Sequence, residues 1–147
     1  MMPIVVGVDT TAAAKEVVLV ALRMAELWST QLVLVRAVGV PGELPIEAYA
    51  VSPADLVTVL RERATKEVEF LAEDVPSERL RGIVVDVGRA WEVICEQARR
   101  ADAAMIVIGA HGYGNIDRLL GTTAARVVNH ADRSVVVVRA PERVLGS

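Results

Sequence analysis

Five short runs of this chain are apolar at nearly every position. The runs are Ile4–Val8, Leu32–Val38, Ile83–Val87, Ala104–Ile108 and Val135–Val138. Each run has the length of a β-strand, and a strand covered on both faces of a parallel sheet reads as a continuous apolar run rather than as an alternation. The pattern therefore predicts five strands of one parallel sheet.

Between these runs, apolar residues recur every three or four positions, as on one face of an amphipathic helix. The predicted helices cover Ala12–Trp28, Pro53–Leu71, Trp91–Ala101 and Thr122–Ala131. Strands that alternate with helices in this way indicate an α/β domain whose parallel strands are joined by right-handed crossovers. No repeat or linker interrupts the alternation, so we expect residues 1–147 to form a single domain.

Polar residues and prolines mark where two of these helices begin. Thr10 or Thr11 is predicted to supply the side-chain oxygen that caps the first helix. The order of Ser52, Pro53 and Asp55 predicts a cap, a proline in the first turn and an acid near the positive end of the second helix. The preceding stretch, residues 39–52, is the one long irregular piece, and its length fits either a functional loop or a plain connector.

Composition and charge restrict the possible functions. Hydrophobic residues make up 53% of the 147 residues and aromatic residues only 3%, so the core is expected to be aliphatic. The net charge of −3 argues against a general nucleic-acid-binding protein, which is normally basic. A single cysteine, Cys95, cannot form an internal disulfide, and no basic leader or membrane-length apolar stretch is present. We expect a soluble cytoplasmic protein that binds neither nucleic acid nor membrane.

A glycine-rich stretch, GAHGYGNIDRLLGTTAAR at Gly109–Arg126, follows the fourth predicted strand. Glycines allow successive N–H groups to converge on an anion, and Thr122 and Thr123 stand where a helix N-terminus favours a phosphate. The stretch lacks the lysine of a P-loop, and its glycines reverse the order of the dinucleotide fingerprint. From these residues alone, a phosphate-binding loop and a simple turn remain equally open.

Several segments together resemble the universal stress protein family over nearly the whole chain. Its nucleotide-binding members carry the pattern G-x2-G-x9-G-[S/T] after the fourth strand. Here Gly109-x2-Gly112 is followed, after eight residues instead of nine, by Gly121–Thr122. Val6–Gly7–Val8–Asp9 at the end of the first strand and the closing RVVNHADRSVVVVR match as well.

The resemblance implies a flavodoxin-like, Rossmann-like three-layer sandwich with a five-stranded parallel sheet in the order 3-2-1-4-5. It also implies binding of ATP, or of ADP or AMP, together with Mg. Asp9 and Ala37 match the positions on the adenine side. The positions that line the ribose and phosphates are Gly109, Gly112, Gly121, Thr122, Thr123 and Ala124.

The shorter loop leaves more than one function open. Losing one residue between Tyr113 and Leu120 either tightens the phosphate site, excluding a γ-phosphate, or is absorbed without effect. The alternatives to a nucleotide-binding regulatory protein are therefore a nucleotide-free homodimeric interaction module and a slow ATPase. No catalytic residue and no metal-ligating side chain is predicted. Family resemblance also implies a homodimer through the edge strand Ser134–Arg139.

Five further residues have less specific interpretations. His111 is expected to be a solvated loop residue, and Arg118 either neutralises phosphate charge or lies on a helix surface. His130, near the end of the fourth helix, is expected to complement the helix dipole. Cys95 is predicted to be a buried, inert thiol and Trp91 a packing residue.

Overall fold

Five strands form one parallel sheet in the computed structural model, which describes residues 1–39, 53–110 and 119–139. The strands are β1 (Ile4–Gly7), β2 (Leu32–Val38), β3 (Leu80–Val87), β4 (Met105–Gly109) and β5 (Val135–Val138). Their order in the sheet is β3-β2-β1-β4-β5, and all neighbours pair in parallel. The predicted strands and their order are confirmed.

The third strand is longer than its apolar run. Arg81 and Gly82 interrupt the hydrophobic pattern, so the sequence predicts a start at Ile83. In the structure the pairing with β2 continues back to Leu80, with an irregularity between Leu32 and Val33 of β2. Backbone hydrogen bonding, rather than side-chain burial, extends the strand here.

The described residues contain four α-helices, which alternate with the strands. They are α1 (Ala14–Leu27), α2 (Pro53–Ala72), α3 (Ala90–Arg100) and α4 (Thr122–His130), with a short 3-10 turn at Ser77–Arg79 before β3. Pro53 is the first residue of α2 and Asp55 lies in its first turn, as predicted. The predicted cap, Ser52, lies outside the described residues.

The predicted threonine cap of α1 is wrong. The N-cap residue is Ala13, which makes no side-chain cap hydrogen bond. Thr11 instead uses its backbone N–H and its hydroxyl to bind the carboxylate of Asp9. The Asp9 carboxylate thus competes with the helix for the hydrogen bonds of Thr11, and α1 begins three residues after Thr11.

The two faces of the sheet bury separate aliphatic cores. Ile4 and Val6 of β1 pack with α1 and α2, whereas Val5 packs with α3 and α4. All three are completely buried. Because successive strand residues point to opposite faces, this alternation divides the molecule into the three predicted layers. Burying each such side chain contributes about 1.5–3 kcal/mol, so the two cores hold the sheet between its helices.

The sheet order determines where a ligand is expected. β1 lies between β2 and β4, and the chain passes from one side of β1 to the other in the connection from β3 to β4. In open parallel sheets, a crevice forms outside the carboxyl ends of strands at such a reversal. The residues that directly follow β1 and β4 therefore lie at the same edge of the sheet.

Candidate functional site

A cleft of about 400 Å³ opens at the carboxyl ends of β1 and β4. Residues from both strand ends, from the loop after β1, from α3 and from the first turn of α4 surround it. The described lining residues are Gly7, Val8, Asp9, Thr10, Thr11, Ala90, Ile94, Ile108, Gly109, Ala110, Gly121, Thr122, Thr123 and Ala124. The structure thus brings six of the eight predicted site residues to one cleft.

On the β1 side, Asp9 is held by the residue two positions later. Its Oδ1 accepts the backbone N–H of Thr11 at 2.9 Å and the Thr11 hydroxyl at 2.6 Å. These two bonds fix the direction of the carboxylate at the mouth of the cleft, where Asp9 is exposed. A ligand that enters the cleft therefore meets a positioned hydrogen-bond acceptor at this end.

On the β4 side, backbone hydrogen bonds tie the start of α4 to the strand. The Gly121 N–H donates to the Ala110 carbonyl at 2.8 Å, and the Ala110 N–H donates to the Val138 carbonyl at 2.9 Å. These bonds connect α4, β4 and β5 at the rim of the cleft. The helix end therefore has a defined position relative to the sheet.

The first turn of α4 is a cluster of hydrogen-bond donors. Gly121 is the N-cap and offers no side chain, and the first bond along the helix runs from the Ala125 N–H to the Gly121 carbonyl at 2.9 Å. The N–H groups of Thr122, Thr123 and Ala124 precede that bond and have no intrahelical acceptor. Both threonines are exposed, and the helix dipole adds partial positive charge at this end. The arrangement can bind an anion.

The floor of the cleft is apolar and tightly packed. Gly7, Ile94 and Ile108 meet there, and a methyl group added at Gly7 would lie 2.6 Å from the Ile94 Cδ1 atom. None of these three residues is among the predicted site residues. The strand-end position of Gly7 and Ile108 was the available signal, but nothing in the sequence showed that Ile94 of α3 reaches the same point.

Ala37, predicted on the adenine side, lies in a neighbouring hollow rather than in the cleft itself. This hollow has a volume of about 520 Å³ and is lined by Ala37, Gly39, Gly88, Arg89 and Ala90. Ala90 lines both spaces, so the hollow and the cleft adjoin. The predicted residues therefore occupy two adjacent parts of one surface.

Some predicted residues fall outside the described part of the chain. They are His111, Gly112 and Arg118 of the glycine-rich stretch, the segment 40–52 and the C-terminal residues 140–147. The length of the spacer before Gly121 is consequently a feature of the sequence alone.

The remaining predicted structural residues lie away from the cleft. Cys95 is buried, as predicted, and burial raises the pKa of its thiol. The Trp91 ring packs against the His130 ring with centroids 4.4 Å apart, and His130 Nδ1 lies 2.8 Å from the Arg126 carbonyl oxygen. Trp91, near the start of α3, and His130, the last residue of α4, thus connect these two helices.

Two further features of the described residues are the placement of their metal-binding side chains and the length and polarity of their helices. Residues 1–39, 53–110 and 119–139 contain no group of three or more His, Cys, Asp or Glu side chains arranged to hold a metal ion. Within the same ranges, every helix is too short or too polar to cross a bilayer.

Comparison with known proteins shows similarity in both sequence and structure. The sequence model of the universal stress protein family matches residues 1–139. Universal stress protein A homolog 2 of Coxiella burnetii is 34% identical over 95 residues, which are 63% of this chain and 63% of that protein. The match thus spans slightly under two thirds of that relative.

Solved structures extend the similarity over more of the chain. Universal stress protein UspA from Lactobacillus plantarum has a TM-score of 0.75 and 24% identity, covering 94% of this chain and 97% of its own. A universal stress protein from Archaeoglobus fulgidus in complex with dAMP has a TM-score of 0.67 and 23% identity, covering 93% and 97%. A universal stress protein solved in complex with cAMP has a TM-score of 0.61 and 22% identity, covering 94% of this chain and 96% of its own. The fold described above is shared by all three, and the chain belongs to the universal stress protein family.

Proposed function

We propose that this protein binds ATP or a related adenine nucleotide, as a regulatory module of the stress response. The observation that carries the proposal is the cleft between the ends of β1 and β4, into which the first turn of α4 presents Thr122 and Thr123. Backbone N–H groups, two hydroxyls and a helix dipole converge there, and this is the donor set that phosphate groups prefer. The relatives solved with dAMP and cAMP support an adenine nucleotide as the ligand class.

The two ends of the cleft suit different parts of such a ligand. The α4 end, with Gly109 and Gly121 leaving room for close backbone approach, would hold the phosphates. The β1 end offers the Asp9 carboxylate, an acceptor suited to a ribose hydroxyl or an exocyclic amino group. Ala37, in the adjoining hollow, would contact the base.

A magnesium ion would accompany the phosphates rather than occupy a protein cage. Mg²⁺ commonly uses one or two carboxylates and keeps several waters beside substrate phosphates. Asp9 is the one carboxylate among the described lining residues, so the chain fits a nucleotide-delivered ion and not a preformed metal site. When bound, the ion would neutralise phosphate charge, and the protein's part is to orient the nucleotide.

The first experiment is to identify and titrate the ligand. Protein purified without added nucleotide is denatured and any released small molecule is identified by mass spectrometry. Calorimetric titration with Mg–ATP, ADP, AMP and cAMP then follows. The variant Thr122→Ala/Thr123→Ala removes two hydroxyl donors and is expected to weaken binding at least about tenfold.

Two threonines of α2 provide a matched control. Thr58 and Thr65 donate their hydroxyls to the carbonyls of Ala54 and Arg61 within that helix, away from the cleft. Thr58→Ala/Thr65→Ala is expected to leave nucleotide affinity unchanged. Equal affinity of the α4 variant and wild type would refute the placement of the phosphates. Absence of binding at millimolar nucleotide would refute the proposed function.

The second candidate is a nucleotide-free interaction module, which the eight-residue spacer before Gly121 favours. It predicts an empty protein in the mass-spectrometric experiment. A third possibility, slow ATP hydrolysis, would appear as phosphate release from a protein that binds ATP and is lost in the α4 variant.

Both nucleotide-bound and nucleotide-free forms are proposed to be cytoplasmic homodimers. β5 is the terminal strand of the sheet and consists of four valines, a composition that favours pairing with another strand. Light scattering is expected to give twice the mass of one chain. The mass of a single chain at micromolar concentration would contradict the proposed dimer.

A further inference from the structure

The hollow beside the cleft is lined mainly by residues with very small side chains. Of its five described lining residues, two are glycines and two are alanines, namely Ala37, Gly39, Gly88 and Ala90. Arg89 is the only one with a side chain larger than a methyl group. The result is a space of about 520 Å³ bounded mainly by backbone and methyl groups, with one guanidinium at its border. Such a space suits a flat, rigid group.

The backbone gives Arg89 a defined position at this border. The Gly88 N–H donates to the Val38 carbonyl at 3.0 Å, which ties the end of β3 to the end of β2. Gly88 has φ of +150°, a conformation that side chains rarely adopt, and the chain turns there into α3. Arg89 follows as the N-cap of that helix with extended backbone, φ −72° and ψ 133°. The side chain therefore starts from a fixed point between a strand end and a helix start.

The Arg89 side chain is available to a ligand. It is 74% exposed, and its Nη1 atom lies 3.9 Å from Oε1 of Glu92, one turn along α3. A surface ion pair of this length contributes little, so moving the guanidinium away from Glu92 costs little. The planar guanidinium can stack on the face of an aromatic ring, which an ammonium group cannot do in the same way.

The geometry points to Arg89 as the residue that stacks on the base of the bound nucleotide. This inference rests on the proposed function, because it takes the phosphates to lie at the start of α4. Ala90 borders both spaces, so a nucleotide anchored there would extend its base into the hollow. Methyl groups and glycine backbone would contact one face of the base, and the guanidinium would cover the other. The described lining of the hollow has no aromatic side chain to do so.

The test compares a ligand that has a base with one that does not. Calorimetric titrations use Mg–ATP and Mg–tripolyphosphate with wild type, Arg89→Ala and Arg89→Lys. Stacking at an exposed site predicts that Arg89→Ala weakens ATP binding about two- to fivefold and leaves tripolyphosphate binding unchanged. Arg89→Lys keeps the charge without the plane, and its ATP affinity is expected to be close to that of Arg89→Ala.

The matched control is an arginine at the other end of α3. Arg100 is exposed and pairs with Glu96 at 3.1 Å, so Arg100→Ala removes a similar charge from the same helix. It is expected to change neither affinity. Thermal melts of the unliganded Arg89 variants are expected to match wild type, since the contact of the Arg89 side chain seen within residues 1–39, 53–110 and 119–139 is a surface ion pair.

The outcomes separate this inference from the proposed function. If ATP binds and Arg89→Ala leaves its affinity unchanged, the stacking role is overturned and the nucleotide site stands. If Arg89→Lys restores ATP affinity, or tripolyphosphate weakens in parallel, Arg89 acts through charge and the stacking role is again overturned. If tripolyphosphate binds too weakly to measure, the ATP affinities of Arg89→Lys and Arg89→Ala still distinguish stacking from charge. A wild-type protein that binds no adenine nucleotide overturns both proposals.

Discussion

The packing at the apolar floor of the cleft allows us to predict how substituting one glycine, Gly7, changes the stability of the protein. Gly7 ends β1, and the Cβ atom of an alanine at this position would lie 2.6 Å from Ile94 Cδ1 and 3.0 Å from Ile108 Cγ2. Ile94 is 5% exposed and Ile108 is 3% exposed, so packing against neighbouring residues restrains both side chains. We predict that Gly7→Ala destabilises the protein by overpacking this point.

The expected magnitude combines two opposing effects. Inserting a methyl group into a packed interior costs about 1–3 kcal/mol. Replacing glycine by alanine also restricts the unfolded chain, which stabilises the folded state by about 0.4–1 kcal/mol. Because the nearest atom is the end of the flexible Ile94 side chain, part of the clash can be relieved by its movement. The net free energy of unfolding is therefore expected to fall by about 1–2 kcal/mol.

A double-mutant cycle with Ile94→Val identifies the cause. This substitution removes the Cδ1 atom that lies nearest to the new methyl group and by itself costs about 0.5–1.5 kcal/mol. If the clash is the cause, the double variant is more stable than the sum of the single effects predicts, by about 1 kcal/mol. Ile108 Cγ2 still lies within 3.0 Å, so the recovery is incomplete. Urea unfolding followed by circular dichroism measures all four proteins.

Gly82 of β3 provides the control, because a Cβ atom built there meets nothing within 4 Å. Gly82→Ala is expected to leave stability unchanged or to raise it slightly. Additive effects of Gly7→Ala and Ile94→Val would refute the proposed contact. Equal destabilisation by Gly7→Ala and Gly82→Ala would show that backbone preference, rather than packing, is responsible.

Three further predictions concern α3 and the turn before it. Gly88→Ala is expected to lower the free energy of unfolding by about 1–3 kcal/mol in urea titrations, since φ of +150° strains any side chain; wild-type stability would contradict this. Burial raises the pKa of the Cys95 thiol, so iodoacetamide at pH 8 is expected to label it only in urea. Hydrogen bonds from Arg99 and Arg100 lower the Glu96 pKa, a contribution to stability that is lost as pH falls through that lowered value. The stability difference between Glu96→Gln and wild type in thermal melts is accordingly expected to be present at pH 7 and to disappear on acidification.

Much of the fold follows from local patterns in the sequence. Continuous valine and isoleucine runs specify buried strands, and Pro53 with Asp55 places the start of α2, because these signals depend on neighbouring residues only. The order of the strands came from the resemblance of several segments to a known family. Where the local signal was ambiguous the prediction was wrong, as at Thr11, whose hydroxyl binds Asp9 instead of capping α1.

The candidate site likewise has one part that the sequence predicted and another part that it did not. Gly109 and Gly121–Thr123 were recognisable as a candidate phosphate site, but the residues alone fitted a simple turn equally well, and the resemblance to a known family favoured the phosphate site. The sequence alone thus determined an α/β domain with a donor-rich helix start after its fourth strand.

The tertiary structure alone decided which other residues share that edge. Ile94 and Gly7 are far apart in the chain, and only the packing of α3 across β1 brings them into contact beneath the cleft. The same packing places Ala37 and Arg89 in a hollow that adjoins the cleft at Ala90. Contacts of this kind depend on how helices dock on a twisted sheet, and no local pattern records that geometry.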